Sequence, residues 1–501
     1  MTDSTRINTA VRIVYGLLSA ILLILFALSV FGETIPVNGG AGYDGEFYRE
    51  VFRGFSTDFF STGYDAFRIQ RIFPFCLMNA VYSLTGIPLD NAHMINGMYA
   101  LLFLNLAFQL WLFFRLAKFQ GFKPATTVIL FALFFFNFPV LKNCGYEPFQ
   151  TDPFAMTIAL GSYLLLLKGK PAVAFAVSLL GLVTWPTVTY AMALLVLFPK
   201  REGNRLPPLP GILGRPLPRL FQFLPLAYGL AAMALVVLFY ALHKQVNLEA
   251  LLLSGASPKN IAIGLGMFVL ITWLLAVCLK VESIPYSVSS FLRALRPKPL
   301  LGVLAGILAV SAVLHLHTND EFFFDGKIFF LQVLIRPLKY PLVTFAGHAV
   351  CWGALFAVII VLAKDFVKDF VERSPGHALV LLAFLFFALD SESRHIATFV
   401  PLLLPALGAT LDKLDLTPKA AAYIVVVQLL LSHFYIPINV DGLAESLEAL
   451  QFSTPEAQRY CMNYGPWMTV ASYRSWLAVA LTTGLGVNEV FRHGRRPQTG
   501  K

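Results

Sequence analysis

The residues of this chain that could do chemistry gather in a few short stretches. GYDGEFYREVFRGF (42–55) sets Asp44 between Tyr43 and Gly45, with Glu46 two residues on. A carboxylate in such a setting can take a proton from an acceptor hydroxyl, and a glycine beside it lets a ligand approach the backbone closely. YDAFRIQRIFPF (64–75) then carries Arg68 and Arg71. Paired guanidiniums suit a phosphate or pyrophosphate, which each binds through two parallel hydrogen bonds. KNCGYEPFQTDPF (142–154) adds Glu147 and Asp152. Asp152, just before Pro153, has a second reading as the cap of a helix. Later in the chain, DGKIFFLQVLIRPLKYP (325–341) supplies Lys327, Arg336 and Lys339, and DSESRHIATFVPLLLP (390–405) supplies Arg394 and His395. These are candidate phosphate contacts; the plain alternative is interface anchors that snorkel. HLHTNDEFFFD (315–325) crowds His, Asp and Glu together but lacks the spacing of an H-E-x-x-H metal site.

The elements that must position these groups are set by composition. Of 501 residues, 57% are hydrophobic and only 13% charged, where a soluble domain carries about 25% charge. Mean hydropathy is +0.70. That excludes a soluble multidomain enzyme and intrinsic disorder alike, leaving a polytopic membrane protein. The fold class expected is an all-α, polytopic transmembrane helical bundle of about 12–14 membrane segments. It forms a single integral-membrane domain over 1–501, with a first span at 13–31, an outer loop at 32–92, the remaining spans over 93–487 and a tail at 488–501. Residues 71–90, broken by Pro74, Gly86 and Pro88, read as an interfacial segment. The apolar run 171–198 is too long for one span and has Trp185-Pro186 at its centre, so it reads as two short helices split by the proline.

With fourteen segments both termini lie in the cytoplasm, and 25 of the 38 Lys and Arg residues fall in the inner loops. The formal net charge of +10 is then the positive-inside signal of a membrane protein rather than a footprint for nucleic acid. The five cysteines form no C-x-x-C pair. Cys144 and Cys461 share the outer side of this map, which leaves a disulfide open, with unpaired packing the simpler reading. Phe-rich runs such as FALFFFNFP (131–139) read as lipid-facing or packing surfaces.

A first span, an outer loop with an early Asp in G-Y-D-G-x-F-Y, and then Y-x-x-x-R-x-x-R-I-x-P together resemble the bacterial members of the GT-C glycosyltransferases. These multi-span enzymes take sugars from polyprenyl-phosphate donors on the outer membrane face. The resemblance covers roughly the first 200 residues. It implies a GT-C-like bundle with amphipathic helices in the first outer loop, and an inverting transfer of a sugar to a glycan, lipid or protein acceptor. Asp44 is then the catalytic residue, and Glu46, Glu147 and Asp152 lie near the acceptor or a metal. Arg68, Arg71, Lys327, Arg336, Arg394 and His395 are the donor-phosphate set. No cofactor is required by any motif; a divalent metal, Mg or Mn, stays open because members of the class differ in metal dependence. The partners expected are the polyprenyl-phosphate-linked sugar, the acceptor and membrane lipids, with no nucleic acid. The location implied is the bacterial inner membrane, with the site on the periplasmic side. The rival readings are a multi-span transporter or lipid-linked-glycan flippase, where intramembrane charges mark a path, and a GT-C-like partner subunit without catalysis.

Overall fold

The computed structural model describes residues 3–200, 286–319, 336–436 and 470–494, together with Gly266, Val333 and Met468. It is 79% helix. The helices are α1 (Asp3–Val30), α2 (Tyr43–Ser61), α3 (Phe73–Thr85), α4 (Asn91–Gln120), α5 (Pro124–Phe135), α6 (Cys144–Tyr146), α7 (Asp152–Leu167), α8 (Pro171–Ser178) and α9 (Thr187–Leu197). Later in the chain come α10 (Val288–Ala294), α11 (Pro297–Leu316), α12 (Val343–Trp352), α13 (Leu355–Val361), α14 (Ala363–Val371) and α15 (Pro375–Phe387). The last three are α16 (Val400–Asp412), α17 (Pro418–Leu431) and α18 (Val470–Gly494).

Among the described residues, three helices are long and apolar enough to cross a membrane: Val11–Val30 within α1, α4 and α11. A fourth span forms if α5 is joined to the segment Pro139–Tyr146 across a 50° bend. Large apolar side chains stand exposed along α1 (Ile13, Leu17, Ile24, Leu28) and α11 (Leu301, Leu308, Leu316). Contiguous apolar surface of this kind is compatible with a helical bundle that meets lipid. The other apolar helices among the described residues are shorter than a full span. Eight of the apolar helices have only 10–17 residues, because the runs are interrupted. The run 171–198 breaks at Thr184–Pro186, between a 3₁₀ turn (Leu179–Val183) and α9. The run 340–363 breaks at Gly353, whose φ of +59° suits glycine, and Gln428 of α17 repairs the open backbone there. Its Oε1 accepts from Ala354 N (2.7 Å) and its Nε2 donates to Trp352 O (3.0 Å). Two further apolar stretches, 221–243 and 261–279, the Arg- and Pro-rich stretch 200–219 and Cys461 lie outside the described residues, apart from Lys200 and Gly266.

The core is aromatic. Phe131, Phe134, Phe135, Phe136 and Phe138 are all buried, so this run packs inward against Phe113 and its neighbours rather than facing lipid. Cys144 is a free buried thiol.

Two features place the site. The segment after α1 folds as α2 packed along α3. Tyr48 stacks on Phe75 (4.7 Å between ring centres), Phe52 meets Tyr82 edge-on, and Asn79 Nδ2 donates to Phe52 O (2.8 Å). This pair is then tied to a distant part of the chain. Tyr64–Asp65 (β1) runs parallel to Thr318–Asn319 (β2), with Tyr64 opposite Thr318. Gly63 permits the approach: at φ +67°, a Cβ there would sit 2.4 Å from His317 O.

Candidate functional site

Asp44 lies in the first turn of α2, where a carboxylate is favoured by the helix dipole. Gly42 precedes the helix with φ +85°, and a Cβ on it would meet Glu147 Oε1 at 3.0 Å. Gly45 packs equally close to Phe149, at 3.1 Å from its Cβ. The glycines flanking Tyr43-Asp44 therefore let the helix start settle directly on the 146–150 segment. Asp44 is half-exposed and faces two cations. Arg68 Nη2 stands 3.9 Å from one carboxylate oxygen and Arg394 Nη2 stands 3.8 Å from the other.

Arg68 sits in the 3₁₀ turn Arg68–Arg71, which Asp65 caps by accepting from the backbone N–H groups of Phe67 (3.1 Å) and Arg68 (2.8 Å). Arg71, at the end of the same turn, is buried between two rings. Its guanidinium carbon lies 4.4 Å from the centre of Phe67 and 4.1 Å from the centre of Trp185. A desolvated cation on an aromatic face is attracted by the ring quadrupole. Burial pushes the nearby Tyr48 phenol up to about 12, against the charge of Arg71. Trp185 in turn lies 6.1 Å from the His395 ring, so the break before α9 brings an aromatic wall to the site.

The other half comes from the turn between α15 and α16. Asp390, Glu392 and His395 are buried, and Arg336 reaches them from the 3₁₀ turn Arg336–Leu338. Arg336 Nη1 lies 3.0 Å from Asp390 Oδ2 and 2.5 Å from Glu392 Oε2. His395 Nδ1 lies 2.7 Å from Asp390 Oδ2, and Arg394 Nε donates to Glu392 Oε1 at 2.7 Å. Burial raises the Glu392 carboxyl, but the charges of Arg336, His395 and Arg394 outweigh it and hold the group well below the usual carboxylate range. The turn is braced by α12. His348 Nδ1 pairs with Ser393 Oγ (2.9 Å), its Nε2 lies 2.8 Å from Ala388 O, and Trp352 Nε1 donates to Ser393 O (3.0 Å). Gly347 allows that contact, since a Cβ on it would lie 2.6 Å from Ser391 O.

Asp390, Glu392 and His395 bring one ligand atom each within 4.8 Å of one another, the one such group found among the described residues. The donors do not fit a divalent ion. The Arg336 guanidinium already lies against both carboxylates, and His395 Nδ1 is turned onto Asp390. A cation inserted there would meet a fixed positive charge.

Of the residues singled out in the sequence, Asp44, Arg68, Arg71, Arg394 and His395 converge on one region, and Glu147 abuts it beneath Gly42. Glu147 is buried and accepts from Gln150 Nε2 at 2.8 Å. Asp152 is the first residue of α7 and makes no side-chain cap, which corrects the capping alternative. It is buried, its Oδ1 has no hydrogen-bond partner, and the charges of Arg394, Arg71 and His395 act on it. Arg336 is engaged in the buried network, so a direct phosphate contact does not describe its surroundings. Glu46 is exposed on α2 outside these contacts, and Lys339 is buried. Lys327 lies outside the described residues, as does most of the 315–325 stretch. Sequence reasoning missed Asp390 and Glu392 as site-builders and Trp185 as the partner of Arg71. The density of charge in D-S-E-S-R-H, flanked by apolar runs, was a usable signal for the first two; nothing local marked the third.

Beside Ile72 and Val183, the neighbours of Arg71 and Trp185, opens a cavity of about 370 Å³. Its walls are apolar throughout: Phe55 and Phe59 of α2, Cys76 of α3, and Val310, Val313 and Leu314 of α11. The pocket thus takes Ile72 and Val183 from the same two segments that bring Arg71 and Trp185 together. No protein-family model, no curated protein and no solved structure matches this chain.

Proposed function

We propose that this chain is an integral-membrane glycosyltransferase of the GT-C type, moving a sugar from a polyprenyl-phosphate donor to an acceptor hydroxyl with inversion. The observation that carries the reading is the position of Asp44. It is a half-exposed carboxylate flanked by Arg68 and Arg394, and the segment that carries Arg68 also gives Ile72 to the wall of an apolar pocket. An amphiphile with an anionic head and a hydrocarbon tail matches that pair of surfaces. In this reading the prenyl chain lies between α2, α3 and α11, and its phosphate meets Arg68 and Arg394.

The chemistry follows from the charges. Asp44 takes the proton of the acceptor hydroxyl as its oxygen attacks the anomeric carbon. The bond from that carbon to the phosphate oxygen breaks, and its electron pair leaves with the polyprenyl phosphate. Arg68 and Arg394 stabilise the negative charge that grows there, which is worth most where the donors are already oriented. Glu392 supplies that orientation for Arg394 through its 2.7 Å bond to Nε. Arg71, pinned between Phe67 and Trp185, fixes the far wall. Asp152 adds a buried carboxyl on the acceptor side. The site is assigned to the outer face of a bacterial inner membrane, with the termini in the cytoplasm.

The test is transfer from a panel of undecaprenyl-phosphate sugars by the full-length protein in nanodiscs. Wild type should convert at least one donor, with Asp44→Asn inactive on it. Transfer at the wild-type rate by the Asn variant would remove Asp44 from the mechanism. Movement of intact lipid-linked sugar across the bilayer without bond cleavage would favour the flippase reading instead.

A further inference from the structure

Asp44 and the donor phosphate call on the same two guanidiniums. Arg68 and Arg394 both present Nη2 to the Asp44 carboxylate, one to each oxygen, at 3.9 and 3.8 Å. These distances lie outside direct hydrogen-bond range, so the carboxylate is held by charge rather than locked. The second partners of the arginines point the same way. Arg68 Nε lies 4.0 Å from Asp65 Oδ2, and Arg394 Nε donates to Glu392 Oε1, so each keeps an inner anion while its outer Nη2 turns to Asp44. The inner anions are buried and otherwise held, Asp65 by the backbone N–H groups of Phe67 and Arg68 and Glu392 by Arg336, whereas Asp44 is 41% exposed at the mouth. An incoming phosphate meets Asp44 as a rival anion.

We propose that Asp44 is a competing internal anion as well as the base: it occupies the outer faces of Arg68 and Arg394 until a phosphate-bearing lipid displaces it. This rests on the reading of the site given above. The consequence is an order of events. The carboxylate is drawn toward the arginines while the head site is open, and it turns to the acceptor hydroxyl once the phosphate has taken its counter-ions. An acceptor that arrives first finds the base engaged, which disfavours deprotonation without a donor in place.

The competition predicts that a variant which cannot transfer sugar binds the lipid phosphate more tightly. Farnesyl phosphate is titrated into the full-length protein in detergent by calorimetry, for wild type, Asp44→Asn and Glu50→Gln. Glu50 lies on the same helix and loses the same charge, but it pairs with Arg53 at 2.7 Å. Two exposed ion pairs of ordinary strength set the scale, so Asp44→Asn should bind about tenfold tighter, a change of ~1.4 kcal/mol. Glu50→Gln should bind as wild type does. Farnesol, which has no phosphate, should bind all three equally. Equal or weaker binding of farnesyl phosphate by Asp44→Asn would overturn the proposal, as would equal tightening by Glu50→Gln or tightening toward farnesol. A separate arm keeps the underlying reading distinct: if Arg68→Gln and Arg394→Gln leave wild-type affinity for farnesyl phosphate unchanged, the head site itself is misassigned. Thermal unfolding of each variant checks that the fold is intact, and Asp44→Ser repeats the measurement with a second neutral side chain.

Discussion

Two clusters of charge meet at Arg394, and they are built on opposite plans. The inner one, Arg336 with Asp390, Glu392 and His395, is buried and close-coupled, with its key separations between 2.5 and 3.0 Å. The outer one, Asp44 with Arg68 and Arg394, is half-open, and its charges stand 3.8–3.9 Å apart. A buried charge is tolerated only with its partner in place, so the inner cluster can be little other than rigid. The outer pairs are screened by solvent and weakly held, which leaves them free to exchange partners. The contrast separates the framework from the working groups more sharply than residue type does, since both clusters use the same arginines and carboxylates.

The comparison can be broken or sharpened in several ways. Asp44→Asn should lower transfer by about 10²–10⁴-fold, the usual contribution of a general base, while the melting temperature stays at the wild-type value. A variant that unfolds would instead place Asp44 with the framework. Arg336→Ala should do the reverse, removing about 3–5 kcal/mol of stability because two buried carboxylates lose their counter-ion; chemical unfolding in detergent measures it, and a change below about 1 kcal/mol would deny the network its structural role. Gly347→Ala forces a methyl group against Ser391 O and should cost about 1–3 kcal/mol, with transfer falling too as the turn carrying Arg394 shifts.

The smallest effect is in the pH dependence of the inner cluster. Glu392 has a folded-state value below its ordinary 4.5, so its contribution is fully present above about pH 4.5 and is lost as pH falls through the folded value. The stability gap between wild type and Glu392→Gln should therefore be flat above pH 4.5 and narrow below it. A gap that widens on acidification would contradict the assignment of Arg336 as the dominant partner.

Much of the outer cluster was legible in the sequence, because its signals are local. Asp44 stands beside Gly45 in an aromatic-rich loop, and Arg68 and Arg71 share one turn within YDAFRIQRIFPF. The break at Trp185-Pro186 was legible for the same reason, since proline disrupts a helix wherever it stands. The inner cluster was not. Arg336 reads like any cation at a membrane boundary until the fold carries it to Asp390, and Trp185 reads like a packing residue until Arg71 lies on it. Segment length was less legible, because hydropathy marks the apolar run at 340–363 but does not say that Gly353 will cut it into pieces shorter than a bilayer.

The separation in sequence between the two arginines facing Asp44 bears on how the protein is made. Arg68 emerges from the ribosome just after Asp44, whereas Arg394 follows more than three hundred residues later. At about 5–20 residues per second, that delay is on the order of tens of seconds. The nascent chain therefore passes through a stage in which Asp44 has met one of its cations and not the other. A polypeptide truncated before the α15–α16 turn would stop at that stage, carrying Arg336 and α12 but not the buried Asp390 and Glu392 that Arg336 pairs with.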